Sequence, residues 1–191
     1  GFDHGKKLHK MGFQGHDTAE LSFSDVFVPD ANLIGGAEGH GFVQLMKNLP
    51  LERLTIGVAA ASAAQAGLEW TLEYVKTREA FGERIADFQN TRFRLADIAT
   101  TVDVMWAYTD RAIALYGEGK LTPEEAAKLK FWTTEREWEV LDTCVQLHGG
   151  YGYITEYPIA RAFLDARVHR IYGGTNEIMR EIVGRQLAGR K

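Results

Sequence analysis

The feature that most narrows the fold is the long, nearly uninterrupted helical patterning that begins at Gly41. It runs to about Arg78, resumes from about Asn90 to Gly117, and returns from Thr122 to His148. A shorter pair follows, residues 158–170 and 175–187, joined through Tyr172-Gly173-Gly174. In the second stretch Phe93, Ile98, Val102, Met105 and Ala112 fall near helical spacing. Helices of roughly 25–30 residues are about 40 Å long at ~1.5 Å per residue. Several of them joined by short loops fold as an antiparallel, four-helix-bundle-like domain.

Local signals agree with that reading. Thr122-Pro123-Glu124-Glu125 predicts an N-cap, a proline at the first helical position and a capping box closed by Glu125. Thr175 is a second expected cap. Pro50 should kink or restart the first helix. Residues 56–67 are rich in Ala, Gly and Ser, which permits close helix–helix approach.

Upstream of Gly41 the pattern differs. Residues 18–28 alternate through Ala19, Leu21 and Phe23 as in a half-buried strand, which Pro29-Asp30 ends. Glycines at 12, 15, 35, 36, 39 and 41 read as turns. Residues 1–38 are thus expected to hold two or three strands, too few for a sheet with its own core. Residues 39–191 form the helical domain, and the fold class is mainly α.

Composition excludes several function classes. The formal net charge is −4 and no Lys/Arg run occurs, so no basic nucleic-acid footprint is expected. No stretch approaches the ~20 apolar residues of a membrane helix. Cys144 is the single cysteine and cannot form an internal disulfide. With no secretory leader visible, a reducing compartment is the default expectation. The opening Gly1-Phe2-Asp3-His4-Gly5 lacks Met and reads as an entry in mid-fold. Phosphate-loop, dinucleotide-fingerprint, nucleophile-elbow and zinc-protease motifs are absent. His4 and His9 stand without a ligand cluster, and no metal is expected.

Five short stretches carry the functional signal. They are L-P-L-E-R-L ending at Leu54, R-E-A-F-G from Arg78, Phe88-Gln89, Q-L-H-G-G-Y-G-Y from Gln146, and I-Y-G-G-T-N-E-I from Ile171. Each alone has a plain structural reading. Arg78 suits a helix end, the glycines at 149 and 150 suit a helix stop, and Thr175 suits a cap. In this order and spacing they resemble the C-terminal domain of acyl-CoA dehydrogenases. The likeness covers essentially the whole chain. K-M-G-F from Lys10, T-A-E-L from Thr18 and D-V-F-V-P from Asp25 resemble the end of that family's middle β domain, here truncated.

The resemblance implies an FAD enzyme that oxidises the Cα–Cβ bond of an acyl-CoA to the trans-2-enoyl thioester. Electrons then pass to an electron-transferring flavoprotein. It implies cofactor contacts from Arg78, Phe81, Gln89, Gln146, Leu147, His148, Gly149 and Gly150, largely to the FAD of a neighbouring subunit. Thr175, Asn176 and Glu177 are further implied cofactor contacts, and Arg53, Tyr172, Gly173 and Gly174 substrate contacts. Many members carry the catalytic base in Y-E-G-T, where this chain has Tyr172-Gly173-Gly174-Thr175. Members of the isovaleryl-CoA and long-chain type place it on the first long helix of this domain, in a context like that of Glu52. Glu52 is therefore the expected base; Glu177 is the weaker candidate, and Arg53, expected to orient the substrate or Glu52, reads almost as readily as a surface cation. A glutamate in a dry pocket suits the role, since burial raises its pKa. The Y-G-G-T-N-E-I-M form most resembles the long-chain enzyme.

The expected assembly is a homo-oligomer, a dimer of dimers, in the bacterial cytoplasm or the mitochondrial matrix. Without the family's remaining domains, this chain alone is expected to be inactive or severely impaired. A non-catalytic helical interaction module and an acyl-CoA oxidase are the alternatives.

Overall fold

The structure, a computed structural model, describes residues 1–189. Two compact units divide the chain, Gly1–Leu49 and a second from Pro50 onward. In the first, strands β1 (Phe2–Lys7) and β2 (Ala19–Phe23) pair antiparallel, with Phe2 opposite Phe23 and His4 opposite Leu21. The Phe2 and Phe23 rings stack across the pair at 5.0 Å. The strand expected over residues 18–28 stops at Phe23. Asp25 takes a left-handed φ of 50°, which carries the chain out of the extended region.

Helix α1 spans Gly41–Thr77 and belongs to both units. It does not restart at Pro50. Proline has no N–H to offer the Met46 carbonyl four residues back, and the helix runs on through it without that bond. A two-residue hairpin of β3 (Glu79–Ala80) and β4 (Glu83–Arg84) follows, then α2 (Gln89–Gly117) and α3 (Pro123–His148). The chain closes with α4 (Pro158–Ala166), a 3-10 turn (Arg167–Arg170) and α5 (Asn176–Leu187).

The second unit is a helical bundle. Its core joins Ala60, Ala61, Ala64 and Leu68 of α1 to Ile98, Val102 and Met105 of α2 and Val140, Leu141 and Cys144 of α3. Small residues on α1 let α3 approach closely. A Cβ added at Gly57 would lie 2.7 Å from Cδ2 of Leu129, and one at Gly67 would lie 2.5 Å from Cδ2 of Leu141. α3 begins as its sequence predicts, with Thr122 Oγ1 accepting from the Glu125 N–H at 3.2 Å. The other half of the capping box does not form. The Glu125 carboxylate instead pairs with Arg111 and Lys128, at 2.9 and 3.1 Å. Among the described residues no helix is long and apolar enough to cross a membrane.

Candidate active site and cofactor groove

The sequence-derived site residues separate into two places. The first is where α1 passes the turn before α5. One turn of α1 presents Glu52 to the surface and Arg53 to the interior, where the arginine is 6% exposed. Arg53 is therefore no surface cation. Its Nε donates to the carbonyl of Gly173 at 3.4 Å. Burial lowers the guanidinium pKa, and the neighbouring Glu52 charge opposes that shift.

Gly173 and Gly174 both have left-handed φ, 64° and 92°, which favours glycine at each. A Cβ built on Gly173 would lie 3.8 Å from Glu52 Oε1 and would overlap Cδ1 of Ile56. Position 173 thus adjoins the glutamate on α1. In this chain Glu52 is exposed to solvent, so the dry pocket expected for a base is not built by these residues alone.

Beyond the glycines, Thr175 caps α5, its Oγ1 accepting from the Ile178 N–H at 3.4 Å. Asn176 is buried, and its amide Nδ2 donates to Thr134 Oγ1 and Glu135 Oε1 of α3, at 3.0 and 3.1 Å. Glu177 is exposed. Its carboxylate accepts from its own backbone N–H and from the Thr175 hydroxyl, and these bonds hold it below the usual carboxylate range. That is the wrong direction for a base working near neutrality. Tyr172 stacks on His169 with ring centroids 5.4 Å apart. His169 Nδ1 in turn meets Glu137 Oε2 at 2.8 Å. Burial pushes the Glu137 carboxyl pKa up against the opposing pull of His169.

The second place is a groove of about 880 Å³. Arg78, Phe81, Gln146, Leu147, His148, Gly149 and Gly150 all line it, and Gln89 opens α2 between the lining residues Phe88 and Asn90. Phe81 and Gly82 form the tip of the β3–β4 hairpin, both with positive φ (56° and 85°), as a two-residue hairpin turn of the primed kind requires. Phe81 is 99% exposed there. The guanidinium of Arg78 sits over the Tyr151 ring, 5.4 Å from its centroid. His148 is buried, stacked on Tyr74 at 4.4 Å, with its Nδ1 2.8 Å from the Cys144 carbonyl. Burial lowers the pKa of its imidazole, which favours the neutral ring. Cysteine chemistry has no part here, since burial pushes the Cys144 thiol up to about 11.

The groove can take an anionic group with an aromatic part. It offers a cation, flat rings and bare backbone, because a Cβ at Gly149 or Gly150 would meet nothing within 4 Å. Tyr74, Ile85, Asn90, Thr91, Tyr151 and Ile154 also line it, and the sequence alone does not single them out as contacts. At the other place the missed residue is Lys130. Its Nζ donates to the Gly174 carbonyl at 2.9 Å and to Asn176 Oδ1 at 2.8 Å. Nothing in the pattern of α3 marks it.

Comparison with known proteins decides the family. The model of the acyl-CoA dehydrogenase C-terminal domain matches residues 39–188. This chain belongs to the acyl-CoA dehydrogenase family. The mouse mitochondrial long-chain specific acyl-CoA dehydrogenase is 48% identical to it over 187 residues, covering 98% of this chain and 43% of the mouse protein. An acyl-CoA dehydrogenase of Bacillus subtilis strain 168 is 40% identical, over 99% of this chain and 50% of its own length. The crystal structure of the acyl-CoA dehydrogenase from Geobacillus kaustophilus superposes with a TM-score of 0.94 at 46% identity, covering 98% of this chain and 49% of that one. The chain thus spans about half the length of the relatives it matches. Membership implies the FAD-binding acyl-CoA dehydrogenase fold.

Proposed function

We propose that this chain forms the helical part of an FAD-dependent acyl-CoA dehydrogenase in which Glu52 is the general base. The observation that carries the reading is the adjacency of the Glu52 carboxylate to Gly173, 3.8 Å from where a side chain there would begin. A base on α1 and a base at position 173 approach one point from two sides. This chain has the first and lacks the second.

Bound FAD would supply the acceptor for the β hydrogen of the acyl chain, as a hydride. The protein's part is proton transfer and positioning. Glu52 takes the α proton of the thioester, a weak acid that needs a well-placed carboxylate. Arg53 holds the Gly173 carbonyl and so fixes the backbone on the far side of the substrate. Arg78, the aromatic rings and the open backbone at Gly149 and Gly150 suit the pyrophosphate and an aromatic ring of the cofactor. Phe81, Gln89, Gln146, Leu147 and His148 complete that contact set. Thr175 and Glu177 serve the cofactor at the start of α5, with Asn176 offering only its backbone because its side chain is tied to α3, and Tyr172, Gly173 and Gly174 border the acyl-CoA. The nearness to long-chain relatives supports a straight-chain acyl thioester as substrate. An electron-transferring flavoprotein is the proposed acceptor of the electrons, and a second copy of the chain the proposed neighbour at the groove.

The test is stopped-flow flavin reduction by an acyl-CoA series in the full-length protein. Glu52→Gln should still bind acyl-CoA and lose at least a thousandfold in reduction rate. Reduction at the wild-type rate removes Glu52 from the mechanism.

A further inference from the structure

Lys130 is the largest fully buried side chain among the described residues, at 0% exposure. It lies mid-helix on α3, between Leu129 and Phe131. Burying an ammonium is expensive, and it persists only where its hydrogens find good acceptors. Both of its acceptors belong to one short segment: the Gly174 carbonyl at 2.9 Å and Asn176 Oδ1 at 2.8 Å. They bracket Thr175, the cap of α5. The carbonyl one residue earlier, that of Gly173, is held by Arg53 Nε at 3.4 Å. Two successive peptide carbonyls are thus each tied by a buried cation, one from α1 and one from α3.

These ties act on a segment with little rigidity of its own. Gly173 and Gly174 have no side chains to pack, and glycine has the widest backbone freedom. Their φ values, 64° and 92°, lie in the left-handed region that glycine enters freely. A lysine is suited to this task, because one ammonium on a long stem reaches two acceptors at once. Burial, and after it the charge of Arg53, lowers the Lys130 pKa to about 8. Burial and the charge of Arg53 both disfavour the ammonium, so its place is explained by the two acceptors it holds.

We infer that Lys130 is a positioning residue which, together with Arg53, fixes the Gly173–Gly174 backbone opposite Glu52. The inference deepens the proposed function, on which its catalytic consequence rests. The backbone role stands on geometry alone and is read separately.

The test uses Lys130→Met and Lys130→Gln in the full-length protein. Amide hydrogen exchange is followed by mass spectrometry over residues 170–178 and over the α1–α3 core. The expected result is exchange at least tenfold faster at 170–178 in Lys130→Met, with core protection unchanged and Lys130→Gln between the two. Unchanged exchange at 170–178 overturns the inference. So does loss of protection throughout the bundle in both variants, which would make Lys130 a general core residue. Flavin reduction is measured in parallel. The reduction rate should fall at least tenfold in Lys130→Met, with half-saturation by acyl-CoA moving less than threefold and Lys130→Gln recovering part of the rate. A wild-type protein whose flavin no acyl-CoA reduces would refute the proposed function, and the exchange result would still decide the role of Lys130.

Discussion

The Glu52 carboxylate lies 3.8 Å from the point where a side chain on Gly173 would start, and Ile56, one turn along α1, fills that point with its Cδ1. On the proposed reading, three residues encode the location of the base. Glu52 would supply it, Gly173 leaves the alternative position without a side chain, and Ile56 occupies that space. Moving the base to position 173 should fail as a simple swap. Glu52→Gln with Gly173→Glu must place a β-carbon onto Ile56 and hold a non-glycine residue at φ 64°, a strain of about 1–3 kcal/mol.

Adding Ile56→Val removes the obstructing methyl at a cost of roughly 0.5–1.5 kcal/mol. Flavin reduction in the triple variant should exceed that of the double variant by at least tenfold. Equal rates in the two would show that Ile56 is not what bars the alternative position.

Lys130 carries a pH signature with a definite sign. Its ammonium is lowered from 10.5 to about 8 in the folded chain. Between those values the unfolded chain binds more protons than the folded one, so stability rises with pH across that window. Below about 8 the full penalty of the buried charge is present. The measurement is chemical denaturation from pH 7 to 10.5, comparing wild type with Lys130→Met. The stability difference should move in favour of wild type by about 3 kcal/mol as pH rises, at a slope of ~1.4 kcal/mol per pH unit. A difference that is flat with pH would mean the lysine is not titrating in that window.

The glycines of α1 give a packing prediction. In a helix Gly→Ala stabilises by about 1 kcal/mol through backbone propensity. At Gly67 the added methyl would stand 2.5 Å from Leu141 Cδ2 and 3.4 Å from Ile159 Cδ1, both buried. Overpacking of that kind costs about 1–3 kcal/mol. Gly67→Ala should therefore be net destabilising by thermal melting despite its better propensity. Leu141→Val should compensate it, the pair costing less than the sum of the two single changes. A stabilised Gly67→Ala would show that Leu141 can turn aside without penalty.

Some of this architecture is legible in the chain itself, and the exceptions share a cause. Thr122 and Thr175 cap α3 and α5 as their flanking residues predict, because capping is decided within a few residues. The capping box at Glu125 half fails because Arg111 of α2 and Lys128 offer its carboxylate a stronger partner, and Arg111 is brought there only by the fold. The strand over 18–28 ends early because Asp25 tolerates a left-handed backbone that alternation cannot reveal. Lys130 escapes notice for a similar reason. On a helix with Lys128 and Glu135 nearby it reads as a solvated charge, and it becomes buried only when α5 docks on α3. In the groove, Tyr74 donates to the carbonyl of His148, a partner 74 residues away in sequence, and no local pattern announces such a meeting. Glu52 is a candidate through the resemblance alone. The structure adds that it adjoins the backbone of Gly173.

The contact of Gly57 with Leu129 has a consequence beyond stability. Gly57 lies five residues after Glu52 on α1, and Leu129 immediately precedes Lys130 on α3. A methyl group at Gly57 would lie only 2.7 Å from the leucine. It would act as a shim, spreading the helix that bears the carboxylate from the helix that anchors the opposing turn. On the proposed reading, the spacing of the two sides depends on a seam one remove from either, where a single carbon would detune the reaction with every charged group still in place.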